Sequence, residues 1–161
     1  MKQSELIDRM LATRAEFEHL LAELNLEQMT ARGVAGEWSV KDILVHIAWY
    51  QTEEAELFGE TGVPASSLWD TPQDARNEML FVQNRDRPLD DALTAFRLAF
   101  EKLVGVVRNL SDEDLSSAAR FPGSTAERPP WRSIAAHSYQ HDREHMDMIR
   151  RWMEKMKSGE V

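Results

Sequence analysis

His137, His141 and His145 fall in one row within AAHSYQHDREHMDMIRRW. On an α-helix, a spacing of four places each imidazole one turn above the last on a single face. A fourth histidine, His46, stands in a separate apolar segment, VKDILVHIAWY. Imidazoles one turn apart, joined by another from a neighbouring helix, are how a helical bundle builds a divalent-metal site. The row alone cannot surround one ion. Residues i and i+8 are about 12 Å apart along a helix axis, whereas ligand nitrogens lie about 2.0–2.1 Å from their metal. One ion can therefore take an adjacent pair, either His137 with His141 or His141 with His145, and its third ligand must come from elsewhere. His46 is the only other histidine inside an apolar helical stripe, and His19, between Glu18 and Leu20, is a weaker candidate. Each feature also has an ordinary explanation: HxxxH pairs recur by chance on helix surfaces, and a single histidine in an apolar helix is more often a packed core residue.

The chain has no cysteine. That excludes disulfides, thiolate ligands and a cysteine nucleophile, and leaves His, Asp, Glu and water as the available metal ligands. His141-Asp142-Arg143-Glu144-His145 also spells H-x-x-E-H, the inverted zinc-peptidase motif with Glu144 as general base. Such enzymes need a further acidic ligand on a later helix, and with the sequence ending at Val161 none is expected here. Met146, Met148, Trp152 and Met153 read as core and interface packing.

At 161 residues the chain is expected to form one domain, 1–161, with a sizeable core. Its formal net charge of −9 argues against a nucleic-acid partner, because no basic field faces the phosphate backbone. The N-terminus, MKQSELIDRM, lacks the apolar core of a signal peptide, and no apolar run approaches the ~20 residues needed to span a bilayer. The expectation is a cytoplasmic protein without a membrane partner.

The elements that must position the histidines are helices, since apolar residues recur at helical spacing and alternating strand patterns are missing. The first helix is expected at about 4–25, with Leu6, Met10, Phe17, Leu20, Leu21 and Leu24 as its stripe. The second begins at Ser39, where Ser39-Val40-Lys41-Asp42 forms a capping box, and ends at Gly59 or Gly62. A shorter helix follows, with Thr71 as cap and Pro72 in the first turn. Another long helix covers about 88–109, Ser111-Asp112-Glu113-Asp114 caps a short turn, and FPGSTAERPP breaks the chain. The last helix, about 131–157, carries the histidine row and closes with Lys155 and Lys157. The expected fold is all-α: a four-helix bundle in up-down-down-up order, with a short extra helix in the crossover between the second and third long helices.

Gly36-Glu37-Trp38-Ser39-Val40-Lys41-Asp42-Ile43-Leu44-Val45-His46-Ile47 resembles the second-helix signature of the DinB-like superfamily, and His141 with His145 resembles its closing HxxxH. Leu110-Ser111-Asp112-Glu113-Asp114-Leu115, Pro130-Trp131-Arg132, Ala135-Ala136-His137-Ser138-Tyr139-Gln140-His141 and Glu144-His145 are similar to the ClbS/DfsB branch of that superfamily. Two residues depart from the branch pattern: His137 stands where Asn is usual, and Asp142 stands where Tyr is usual. The resemblance implies the same four-helix bundle, with His46, His141 and His145 holding a divalent metal, often nickel or zinc. It further implies action on small electrophilic metabolites, of hydrolase or thiol-transferase type, in stress or toxin protection. The alternatives are a bundle that sequesters a small ligand without turnover, or one with a relict metal site. His137 is then a neighbour of the metal rather than a ligand.

A water or thiol at such a centre becomes nucleophilic near neutral pH. Tyr50, Tyr139 and His137 are the candidate catalytic residues, the tyrosines as donors to a developing oxyanion. Asp42 either caps its helix or orients His46. Trp49 and Trp131 could wall a cavity. The expected partner is a small-molecule substrate or ligand, and Trp152-Met153 could supply a homodimer face.

Overall fold

A computed structural model of the protein describes residues 1–117 and 119–159. Regular structure among these residues is helical, apart from one isolated bridge between Ala35 and Trp38. Four helices are long: α1 (Gln3–Ala22), α3 (Val40–Leu57), α5 (Leu89–Arg108) and α8 (His141–Ser158). Four are shorter: α2 (Leu26–Thr30), α4 (Gln73–Asn84), α6 (Asp112–Ser116) and α7 (Pro130–Ala135). None is long and apolar enough to cross a membrane.

Local chemistry sets most boundaries. Ser39 accepts from the Asp42 amide while the Asp42 carboxylate accepts from the Ser39 amide, so two otherwise unpaired donors at the start of α3 are satisfied together. The same box opens α6 at Ser111 and Asp114. Asn25 and Gln28 make a third at α2, a short helix beyond the expected first one, which itself stops at Ala22. In the crossover, Ser67–Asp70 forms a 3-10 turn, and α4 starts after Pro72 instead of Thr71.

The last expected helix is not continuous. Between α7 and α8 the chain makes a π turn over Ala136–Gln140, and Ser138 leaves helical geometry with φ −122° and ψ −108°. Its hydroxyl donates to the Ile134 carbonyl at 2.5 Å, which satisfies an acceptor within this widened turn.

The core has two apolar halves. One gathers Leu6 and Met10 of α1, Phe58 after α3, Phe100 and Leu103 of α5, and Ile134 of α7. The other gathers Phe17 of α1, Leu44 and Ile47 of α3, Phe96 of α5, and Ile149 of α8. A buried polar layer lies between them in each chain segment: Arg14, Gln51 and Asp142. Arg14 Nη2 lies 3.0 Å from Asp142 Oδ2 and donates to Gln51 Oε1 at 2.9 Å, while Gln51 Nε2 donates to Asp142 Oδ1 at 3.1 Å. The guanidinium carbon stands 3.7 and 4.2 Å from the ring centres of Phe96 and Phe100, one from each half. Burial pushes the Asp142 carboxyl up, to about 6, against the pull of Arg14.

Two expectations fail against this packing. Trp152 and Met153 are buried in the second half, so they offer no dimer face. Trp131 packs on the first half of the core rather than walling a cavity beside Trp49. Val161 lies outside the described residues.

Candidate metal centre

Two rows of side chains face each other across α3 and the chain running through α7, the π turn and α8. One is His46, Tyr50 and Glu54, spaced by four on α3; the other is His145, His141 and His137. They meet in antiparallel register. The His46 ring contacts His145 and His141, Tyr50 contacts His141 and His137, and Glu54 meets His137 and Ser133.

At one end of this zipper the three imidazoles converge through their Nε2 atoms. His46 Nε2 and His145 Nε2 each lie 3.0 Å from His141 Nε2. One ligand atom from each of the three residues falls within 4.8 Å of the others. Two nitrogens bound to one ion at about 2.0–2.1 Å lie roughly 3.0–3.4 Å apart, so the donor set fits a shared divalent cation. Hydrogen bonding accounts for it less well, because the single proton on a neutral Nε2 can serve only one neighbour.

The rings are held neutral. Burial lowers His46 to about 3, with His145, Arg76 and His137 adding to the effect. Burial, followed by His145, His46 and His137, lowers His141 to about 2. Burial alone lowers His145 to about 4. At neutral pH each ring thus keeps a lone pair for a metal with no proton to displace from it.

Packing sets their orientation. Trp38 stands edge-on to His46 at 5.2 Å and stacks on Phe81 at 5.7 Å; Tyr50 stands edge-on to His46 at 4.8 Å. The three Nδ1 atoms are buried without a protein hydrogen-bond partner among the described residues. Asp42 does not orient His46: its Oδ2 serves the helix cap.

His137 stands beside the centre. Its Nδ1 is 2.8 Å from Glu54 Oε1, an ion-pair distance whose direction falls short of a hydrogen bond. Glu54 is fully buried and also accepts from Ser133 Oγ at 2.9 Å. The imidazole stacks on Tyr50 with centres 5.3 Å apart, and Trp69 from the 3-10 turn meets it edge-on at 5.6 Å.

Tyr50 is at the site, but its hydroxyl donates to Asn77 Oδ1 and accepts from Arg76 Nε, both at 3.0 Å, so its proton is committed away from any oxyanion. Tyr139 is elsewhere, buried in the first half of the core with Arg9 and Arg143 near its ring, and is no catalytic candidate. His19 is exposed on α1, outside the cluster. Glu144 is exposed, whereas His145 is buried, which removes the peptidase reading. Glu54, Trp69 and Arg76 were not foreseen. The signal for Glu54 was present, because an acid at His46 plus eight continues the row that answers the histidines.

A family model of the DinB superfamily matches residues 9–149. The chain belongs to that superfamily. A structure described as sibling lethal factor precursor, DfsB, is similar over 97% of each chain, with a TM-score of 0.78 and 16% identity. A protein from Streptococcus pneumoniae is similar over 96% of this chain and 91% of its own, with a TM-score of 0.80 and 11% identity. An uncharacterised protein from Escherichia coli UTI89 is similar over 97% of this chain and 95% of its own, with a TM-score of 0.75 and 10% identity. At these identities the likeness is one of fold. No curated protein matches the sequence.

Proposed function

We propose that this DinB superfamily member binds one divalent metal, nickel or zinc, through His46, His141 and His145. We further propose that it acts on small electrophilic metabolites, as a hydrolase or thiol transferase. The observation that carries this reading is the convergence of three buried, neutral Nε2 atoms at separations matching ligands of one ion. The proposed scaffold is one domain with the long helices in up-down-down-up order. Its support is the order in which each helix visits the two halves of the core. The chain reaches the Leu6 half first in α1 and in the segment leading into α8, whereas α3 and α5 reach the Phe17 half first.

A divalent ion at this donor set would supply Lewis acidity that makes a water or thiol nucleophilic near neutral pH. The protein's own residues do the rest. Trp38 and Tyr50 pack edge-on against the His46 ring and hold its plane. Glu54 holds the Nδ1 side of His137, which leaves Nε2 as the ring nitrogen available to a substrate, as a carboxylate does for the histidine of a hydrolytic triad.

The test is metal analysis of freshly purified, dialysed protein and of His46→Ala, His141→Ala, His145→Ala and His137→Ala. The expected result is one equivalent in the parent and in His137→Ala, and loss of bound metal in the other three. Stoichiometric metal surviving all three ligand changes refutes the site. Mass spectrometry of an epoxide incubated with the loaded protein, with and without a thiol, then separates turnover from sequestration.

A further inference from the structure

Arg76 of α4 lies against the aromatic end of the same site and is held on two sides. Its Nε donates to the Tyr50 hydroxyl at 3.0 Å, and Nη1 donates to the Trp69 carbonyl at 2.7 Å and the Thr71 carbonyl at 3.3 Å. Its guanidinium carbon stands 5.1, 5.4 and 5.5 Å from the ring centres of Tyr50, Trp69 and Trp49. An arginine has five N–H donors. Three are spent in fixing this one, and the two on Nη2 have no protein acceptor among the described residues. No carboxylate pairs with it among the described residues. Glu53, whose carboxyl burial pushes up while Arg76 pulls it only partly back, is itself engaged with the Ser66 amide at 3.0 Å.

These contacts explain Arg76 in part as a pin that ties the 3-10 turn to α3. The ring faces draw on its charge, but they leave it without a paired counter-ion among the described residues. A half-buried cation, oriented in advance and walled by two indoles and a phenol, has the form of an anion subsite with an apolar flank. A single tyrosine ring separates it from the three-histidine centre: Arg76 bonds the Tyr50 hydroxyl, and the Tyr50 ring touches His46 and His141. The two positions therefore suit the two ends of one small molecule. One guanidinium balances one negative charge, which favours a carboxylate over a phosphate dianion in a chain of net charge −9.

We infer that Arg76 anchors the carboxylate of the substrate, and that the metabolite processed here is a small carboxylic acid whose apolar body lies on Trp49 and Trp69 with its electrophilic carbon toward the histidines. The inference rests on reading the histidine cluster as the reacting centre, but its test does not.

Benzoate is titrated into metal-free protein while tryptophan fluorescence is followed, since Trp49 and Trp69 both border the subsite. Saturable quenching is expected, with benzamide binding roughly tenfold or more weakly, the loss of one charge-assisted contact. Arg76→Met should weaken benzoate by a similar factor and leave the metal stoichiometry of the loaded protein unchanged. Arg76→Lys, which keeps the charge if the pin is weakened, should retain part of the affinity. Equal binding of benzoate and benzamide, or undiminished binding of benzoate to Arg76→Met, overturns the subsite. Inorganic phosphate displacing benzoate more effectively than acetate overturns the carboxylate assignment. In His46→Ala, loss of metal with benzoate binding intact is expected; a parent protein that binds benzoate but no metal would refute only the centre.

Discussion

Removing the charge of Asp142 should destabilise the protein more than any exposed charge change, and the polar layer allows the size to be worked out. Asp142, Arg14 and Gln51 are all buried, and among the described residues Asp142 is the only carboxylate paired with Arg14. Asp142→Asn leaves the guanidinium between the Phe96 and Phe100 rings with no counter-charge. Breaking a buried pair on one side costs about 3–5 kcal/mol. The cation–π contacts with the two rings, each about 2 kcal/mol or more when desolvated, are present in parent and variant alike and so cancel. For a domain of this size, about 3–5 kcal/mol corresponds to a fall of roughly 6–20 °C in Tm. The assay is urea unfolding of metal-free protein, followed by far-UV circular dichroism. The companion variant Arg14→Met/Gln51→Leu/Asp142→Leu replaces the whole layer with apolar side chains of similar volume and should fall within about 1–2 kcal/mol of the parent, or exceed it. If Asp142→Asn costs under about 1 kcal/mol with an unchanged m-value, the layer is solvated in practice and the reasoning fails.

Three further outcomes follow from other parts of the structure. Acid should destabilise the metal-free protein. The folded-state pKa values of His46, His141 and His145 lie below the ordinary histidine value, so the unfolded chain takes up protons first. Stability is then fully present above about pH 6.5 and lost as pH falls toward about 4, the value for His145, with Asp142, raised to about 6, opposing part of the loss. A Tm that is flat across that window would contradict the burial of the three rings. Ser39→Ala removes the hydroxyl from the cap of α3 and should cost about 0.5–2 kcal/mol in thermal unfolding, with part of the metal affinity lost because His46 is two turns in. Tyr139→Phe should leave metal content and benzoate quenching unchanged, and a defect in either would return Tyr139 to the site.

Sequence and structure agree where one kind of side chain dictates the outcome. Leu6, Met10, Phe17, Leu20 and Leu21 read as one face of α1 and are all buried, and the Ser39 and Ser111 boxes open helices as their side-chain chemistry requires. Helical rise alone removed a three-ligand row, and His137 does stand apart from the trio. The departures arise where the outcome depends on distant partners. Nothing in AAHSYQH resembles a helix breaker, so the π turn is written in packing rather than in a proline or glycine. Asp142 read as a departure from a family pattern because its partners, Arg14 and Gln51, are 128 and 91 positions away and visible only after folding. Tyr139 and Tyr50 looked equivalent as neighbours of histidines, yet Tyr139, in the π turn, enters the core and Tyr50, on α3, enters the site.

The π turn also changes what the spacing of the histidine row means. A widened turn holds one residue more than an α-turn over the same rise. Deleting one residue from 136–140 would let α7 run straight into α8 with little change of phase, whereas winding all five residues as α-helix would rotate everything beyond by about 100°. His137 belongs to the frame before that joint, whereas His141 and His145 belong to the frame after it. The even four-residue interval is thus a junction between two independently phased segments. The side chain at position 137 can therefore be exchanged without recutting the geometry that converges on the three nitrogens, so the neighbour of the cluster and the cluster itself are free to change separately.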